Sequence, residues 1–544
     1  MNRLYISLLL LNTIWFFSCS DKKQLQSVEF TYFSNTKPDD NNLNNWILED
    51  IKLDSVPGIS LDRAINDELI TPPKNPIIIA VIDTEIDINH ESLKRNIWQN
   101  KKEIPGNGKD DDANGYIDDI NGWNFIGNAK GENIIYPNNE SLRIIRAYKK
   151  DSLNGLVNKE LYKKALKKYE EAKESAQSDM DYVNFLTDTY PKSKKALLKF
   201  FPKEDYTTDQ LDSLYDIYKE KDEELAKLIY YMSDYIKYDL SKEWIDDLRK
   251  TVEGDLNKSL NPDYFDRDIL GDNPDDINDI SYGTPIVNGH IGELYHGTEV
   301  ASIIAAQTDS LKGVCENCLI MPVSISSNGN EHDKDIALGI KYAVDNGAKV
   351  INMSFGKELS LHKQWVLDAI KYAEDNNVLI VSSAGNSRLN LSEITDYYPN
   401  DNLNDETEVS NNYILVGATT NTIDPDLLAY FSNYGQHDVD VFAPGHLIKA
   451  AIPNNKYKED SGTSLSSAVV SGIAGIIFSQ YPDLSAAQVK RIIMNSGVEY
   501  NIDVSVPSKD NPKRLLPFKQ LSKSGKIVNV YNALLMAKSL SDDN

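Results

Sequence analysis

Four residues of this chain have the types and local settings that acyl-transfer chemistry needs: Asp83, His296, Asn386 and Ser464. A serine hydroxyl attacks a carbonyl at neutral pH only if a base takes its proton, an acid orients that base, and donors receive the charge that develops on oxygen. Asp83 closes the apolar run "PIIIAVID". His296 opens "HGTEVASIIAAQ", whose small and apolar residues suit a buried helix, and Gly297 lets that helix begin close to neighbouring backbone. Ser464 lies in "GTSLSSAVVSGIAGIIFSQY", again at a helix start, where unpaired N–H groups and the positive dipole end favour developing negative charge. Asn386, in "SSAGN", offers a side-chain amide just after another apolar run.

Positioning these groups requires a scaffold, and one is visible from about residue 77. The runs "PIIIAVID", "AKVINMSFG", "NVLIVSSAGN", "NYILVGAT" and "DVDVFAPG" each end in small, polar or Gly/Pro residues. Several are continuously apolar, as strands covered on both faces are, and helical stretches separate them, so an α/β fold with a mostly parallel sheet is expected. Functional groups in such sheets gather at the carboxyl ends of strands, where Asp83 and "SSAGN" fall. Residues 139–258 break the pattern: they are charged, rich in Lys, Glu, Leu and Tyr, and carry apolar residues at helical spacing, with Thr207 and Gln210 set for a capping box. They read as an inserted antiparallel helical unit, either a solvated decoration or a surface that gates substrate or binds a partner.

The blocks around Asp83, His296 and Ser464 resemble the three signature blocks of subtilisin-like serine peptidases, in the same Asp, His, Ser order. The resemblance extends to "KYAVDNGAKVINMSFG", "VLIVSSAGN", "FAPG", "NKYKEDSGTS" and "PDLSAAQVKRIIMNSG", covering residues 77–127 and 270–500. It implies a three-layer subtilisin-like fold and a serine endopeptidase with Ser464 as nucleophile, His296 as base and Asp83 holding the imidazole. It further implies an oxyanion hole from Asn386 and the Ser464 N–H. Ser354, Phe355 and Gly356 would pair with the substrate backbone, and Ser383, Ala384 and Gly385 would line the pocket for the residue before the cut, with a broad, apolar-leaning preference. The chain departs from the family pattern at Glu85, where a glycine is usual, at Glu299, where a histidine is common, and at Ala468, where a proline is common. Two rivals are an envelope protein that keeps the fold as a binding scaffold without catalysis, and an esterase or amidase using the same triad. The other histidines, His90, His290, His332, His362, His437 and His446, read as surface or turn residues.

With 544 residues, three units or one large domain with insertions are expected. The formal charge of -26 repels nucleic acid, which is not expected as a partner; protein or peptide substrates are. The chain opens with a basic residue, an apolar stretch from Leu4 to Phe17, then Ser18 and Cys19. That order is that of an export signal over residues 1–18 and is similar to a bacterial lipobox, despite Phe16 and Phe17, so Cys19 is the expected lipidation site and the bacterial envelope the expected location, with free secretion as the alternative. No later apolar run is expected to reach membrane length. A segment 19–70 precedes the peptidase parts, 71–138 and 259–544. Cys315 and Cys318, too few for a zinc site, read as a local disulfide.

No cofactor is expected for catalysis. In "GKDDDANGYIDDINGW", Asp110, Asp112, Asn114 and Asp118 fall at the first, third, fifth and ninth positions of a calcium loop, with Tyr116 offering its carbonyl at the seventh. Asn121 replaces the usual glutamate at the twelfth. The segment is either a structural calcium tie or an acidic hydrated turn.

Overall fold

The computed structural model describes Thr31–Tyr32 and residues 43–541, apart from 73–74, 151–154, 156, 328, 395, 404–406, 507 and 509–510. The export signal and Cys19 lie outside the described residues.

Six strands form the centre of the main sheet: Ile78–Asp83 (β1), Leu319–Ser324 (β2), Val350–Met353 (β3), Leu379–Ser383 (β4), Tyr413–Thr419 (β5) and Val441–Pro444 (β6). Their spatial order is β2-β1-β3-β4-β5-β6, every neighbouring pair parallel. Short strands flank them: Trp123–Asn124 beyond β2, and Lys526–Ile527, Val498–Tyr500 and Thr31–Tyr32 beyond β6. The strands are apolar throughout because both faces are covered. Ile79, Val81, Leu379, Val381, Ile414 and Val416 join one core with the helices His296–Ala305, Thr463–Gln480, Ala486–Ser496 and Val530–Ser541. The alternate residues Ala80, Ile82, Ile380, Tyr413 and Leu415 join the other, with helices Asp333–Asp345 and Lys363–Asp375. The architecture is α/β, a sheet between two helical layers.

The chain leaves β1 for β2 on one side and then crosses to β3 on the other, so the strand order reverses beside β1. Open α/β sheets build sites at the carboxyl ends flanking such a reversal, here Asp83 and Ser354.

Strand β2 was not among the expected runs, because Pro322 argues against a central strand. It is tolerated because the outer neighbour is short: Trp123 and Asn124 pair with Val323 and Ser324, one step past the proline. The helix Thr463–Gln480 corrects a second expectation. It is long and apolar enough to cross a membrane, but it is buried in the core, which is what an all-round apolar composition serves here. The histidines correct a third. His90, His332 and His362 are buried, each with a polar partner: His90 Nδ1 contacts the Ser92 hydroxyl at 2.8 Å, His332 Nε2 contacts Asp266 at 2.9 Å, and His362 Nε2 contacts Asp275 at 3.1 Å.

Among the described residues of 140–254 lie five α-helices: Glu140–Lys150, Lys159–Leu197, Thr208–Tyr218, Glu223–Lys237 and Lys242–Gly254. Thr207 and Gln210 close a reciprocal cap on the third. The unit has its own apolar core of Leu186, Leu197, Leu211, Ile229, Met232 and Ile245. A second cluster docks it onto the body that carries the sheet, where Ile144, Ile145 and Ala165 meet Leu359 and Leu361. Trp46, Ile47, Leu48, Ile59 and Leu61 are built into the first core, and the Val530 N–H donates to the Ile59 carbonyl at 2.8 Å. Cys315 and Cys318 are joined in a disulfide.

Candidate active site

Asp83 ends β1, and its main chain is fixed by the N–H groups of Ile325 and Ser326, which donate to its carbonyl at 2.9 and 3.2 Å. Its buried carboxylate accepts from the Thr84 N–H at 2.7 Å and faces His296 Nδ1 at 2.8 Å through the same Oδ1. His296 is the first residue of its helix. A Cβ on Gly297 would lie 2.8 Å from the Thr84 carbonyl oxygen and 3.0 Å from that of Glu85, so only glycine lets the helix start against the loop after Asp83. Thr84 Oγ1 accepts from the Gly297 N–H at 2.8 Å, and Thr298 Oγ1 accepts from the Asp87 N–H at 2.9 Å. The "HGT" triplet is thus the device that brings two residues 213 apart in sequence into contact.

Facing a carboxylate, Nδ1 carries the proton and Nε2 is left as the base. Desolvation is the largest effect on this imidazole and favours the neutral ring. The Asp83 charge and hydrogen bond, with the carboxylates of Glu299 and Asp460, outweigh it and raise the pKa to about 9. The side chain keeps 38% exposure, which leaves an edge of the ring open to a substrate. Glu299, one helical turn on, is buried and held by Lys458 Nζ at 2.6 Å; the same ammonium reaches Asp460 at 2.7 Å. Burial raises the Glu299 carboxyl above its ordinary value against the pull of Lys458. The other unusual acid, Glu85, points away from His296, accepting from the side-chain amides of Asn133 at 2.8 Å and Asn124 at 3.2 Å.

Ser464 is the second residue of the helix Thr463–Gln480. Its hydroxyl donates to the Ser354 carbonyl at 3.2 Å, while the Ser354 hydroxyl donates to the Ser464 carbonyl at 3.1 Å and accepts from Asn352 Nδ2 at 2.8 Å. This network ties the serine to the carboxyl end of β3, beside Asp83. The hydroxyl is held by Ser354, and among the described residues no hydrogen bond joins it to His296; loose contacts of this kind are common in substrate-free sites.

The Asn386 side-chain oxygen accepts from both the N–H and the hydroxyl of Thr463, each at 2.9 Å, and Thr463 Oγ1 accepts from the Gly385 N–H at 3.0 Å. With its oxygen held, the amide nitrogen faces the serine loop. A Cβ on Gly462 would lie 3.5 Å from Asn386 Nδ2, 3.8 Å from the Ser464 nitrogen and 4.0 Å from Ser464 Cβ. Two donors therefore converge on space that glycine leaves open beside Ser464, an arrangement able to stabilise an oxyanion.

A cavity of about 410 Å³ runs beside Ser464 between two walls, Ser354 to Leu359 and Ser383 to Ser387. Asn139, Glu140 and Lys168, from the helical unit and the residue before it, complete its rim. Ala384 corrects an expectation. It is fully buried in the second core, and its carbonyl accepts from Asn433 Nδ2 at 2.7 Å, because strand alternation turns it away from the cleft. Tyr397, which no sequence pattern singled out, stands between the walls; a Cβ on Gly356 or Gly385 would lie 2.2 or 2.0 Å from its hydroxyl oxygen.

The match of the subtilase family model to residues 74–515 now decides the family. The chain belongs to the subtilase family. This subtilase is 36% identical over 220 residues to the cell wall-associated protease of Bacillus subtilis (strain 168), a match that covers 40% of this chain and 22% of that one. It is 38% identical over 189 residues to the thermophilic serine proteinase of Bacillus sp. (strain AK1), covering 34% and 43%. It is 34% identical over 198 residues to subtilisin DY of Bacillus licheniformis, covering 36% and 67%. The matched part of the subtilase thus spans less than half the length of the first two.

The acidic loop of this subtilase brings part of the expected donor set together. Carboxylate oxygens of Asp110 and Asp112 lie with one of Glu103 within 4.8 Å of one another. Glu103, seven residues upstream of the motif, was not anticipated. Asp118 turns away: its two oxygens accept from the N–H groups of Asn107 and Gly108 at 3.1 and 2.9 Å. Asn114 is likewise engaged, its oxygen accepting from the Tyr116 N–H at 2.8 Å.

Proposed function

We propose that this subtilase is a serine endopeptidase acting on protein or peptide substrates. The observation that supports the reading is the 2.8 Å pair of Asp83 and His296 at the strand-order reversal, with Ser464, at a helix start, bonded to Ser354 at the carboxyl end of the neighbouring strand. An extended substrate lies along the edge of Ser354 to Gly356. Ser464 Oγ attacks the scissile carbonyl as His296 Nε2 takes its proton, and Asp83 holds the Nδ1–H tautomer and the imidazolium that forms. The Asn386 amide and the Ser464 N–H receive the oxyanion. His296 then passes the proton to the leaving amine, and water, activated by the same imidazole, releases the acyl group. The test is modification by a small fluorophosphonate: wild type should be labelled at Ser464, and His296→Ala should label at least about 100-fold more slowly. Labelling elsewhere, or equally fast in the variant, would overturn the reading.

A structural calcium ion is part of the proposal, supported by three hard oxygen donors converging from Glu103, Asp110 and Asp112. Calcium in excess should raise the melting temperature of wild type and leave that of Glu103→Gln with Asp112→Asn unmoved; equal shifts would remove calcium from the account. Export and tethering to the bacterial envelope through Cys19 rest on the basic-apolar-cysteine order of the first residues. Incorporation of labelled fatty acid that Cys19→Ala abolishes is the matching test.

A further inference from the structure

The pocket beside Ser464 is closed by a side chain of its own. The Tyr397 hydroxyl oxygen comes so near two glycines, one from each wall, that a Cβ would lie 2.2 Å from it at Gly356 and 2.0 Å from it at Gly385. No side chain at either glycine could coexist with this ring, so the two glycines and the tyrosine form one steric unit.

Tyr397 also lines a second cavity, of about 420 Å³, on its far side, together with Ile336, Leu391, Pro399 and Tyr413. It is common to both cavities and forms a partition between them. The partition is anchored. The residue after it, Tyr398, exchanges both backbone hydrogen bonds with Lys357, the residue after Gly356, at 2.7 and 2.8 Å. The helical unit holds the two segments from outside: Lys164 pairs with Asp396 and Lys168 pairs with Glu358 at 2.5 Å. Burial and the neighbouring carboxylates of Glu331 and Glu358 push the phenol up, so the ring stays neutral across the working range of a peptidase.

We propose that Tyr397 is the specificity-determining residue of this site: its ring closes the pocket between Gly356 and Gly385, so that cleavage follows small side chains such as glycine, alanine or serine. This inference rests on the peptidase reading and replaces the broad, apolar-leaning preference expected from the family resemblance. An aromatic or long aliphatic side chain would need the volume that the tyrosine ring occupies. A single methylene too many or too few in such a pocket changes rates by about 10 to 200 fold, and a whole ring exceeds that. Removing the ring would join the two cavities into one deep pocket.

The test uses the full chain and two peptidyl diphenyl phosphonates that differ only in carrying an alanine or a phenylalanine side chain beside phosphorus. Ser464 Oγ forms a bond to phosphorus, the P–O bond to one phenoxide breaks, and His296 delivers the serine proton to give phenol. In wild type the alanine probe should modify Ser464 at least about 10-fold faster than the phenylalanine probe. In Tyr397→Ala that ratio should fall by at least about 10-fold, whereas Tyr397→Phe, which keeps the ring, should retain the wild-type ratio. Tyr397→Leu is the milder second variant, expected to fall between them, and labelling by a small fluorophosphonate reports whether each variant keeps an intact site. A wild type that prefers the phenylalanine probe, or a ratio unmoved by Tyr397→Ala, overturns the proposal while leaving the peptidase reading standing. A wild type inert to both probes and to the fluorophosphonate overturns both.

Discussion

At the scale of single residues, the imidazole sets the pH dependence. With its pKa raised to about 9 by Asp83 and the carboxylates beyond it, His296 holds its second proton more tightly than a free imidazole, and loss of that proton frees Nε2 as base. The acid limb of kcat/KM is therefore expected near pH 9, activity rising with pH, and Glu299→Gln should move that limb to lower pH by removing one of the charges that favour imidazolium. A pH–rate profile of the two proteins checks both. Stability runs the other way: a raised folded-state pKa stabilises fully below the ordinary value of 6.5, and that contribution is lost as pH rises through about 9. On the proposed mechanism, in which its amide nitrogen faces a charge that exists only in the transition state, Asn386→Ala should lower kcat by about 100 to 1,000 fold with little change in KM. Chemistry-bearing residues were readable where each stood in a local block with a fixed offset to a strand end or helix start, as Asp83, His296, Asn386 and Ser464 do. Tyr397 and Glu103 were not, because each acts by reaching a distant partner, and nothing beside either in sequence marks that contact.

At the scale of elements, the site depends on close approach of helix starts to strand ends. Gly297→Ala places a Cβ 2.8 Å from a carbonyl oxygen of the Asp83 loop. It should cost about 1 to 3 kcal/mol of stability, as overpacking does, and lower kcat as His296 moves off Asp83; denaturant unfolding and turnover on one substrate measure the two effects. Strand type was legible from continuous apolar runs, and the serine helix from its small and apolar residues. Strand β2 escaped because Pro322 signals a break, and only the tertiary context, a short outer neighbour, removes that objection. The turn of Ala384 into the core was hidden for a related reason: which face of β4 looks toward the cleft depends on the sheet, not on "SSAGN" itself.

At the scale of the whole molecule, the helical unit has a core separate from those of the sheet, yet it touches the cleft through Lys168, while Lys164 pairs with Asp396 beside the second cavity. Ile229→Ala, fully buried in that core, should destabilise the unit by about 2 to 5 kcal/mol while Ser464 remains open to fluorophosphonate. Amide exchange should show the lost protection confined to the helices between Lys159 and Gly254, and a loss spread over the sheet would contradict the separation. Helical periodicity made this unit legible in sequence, but its docking beside the Ser354 wall was not, since that depends on Leu359 and Leu361 meeting Ile144 and Ala165 across long sequence distances.

The central claim, a working serine endopeptidase, is tested most directly by incubating an unstructured protein with the purified chain and with its Ser464→Ala variant at pH 9, and reading new termini by mass spectrometry. The account predicts internal cleavages by the wild type and none by the variant. Equal cleavage by both, or none by a wild type that binds the substrate, would contradict it.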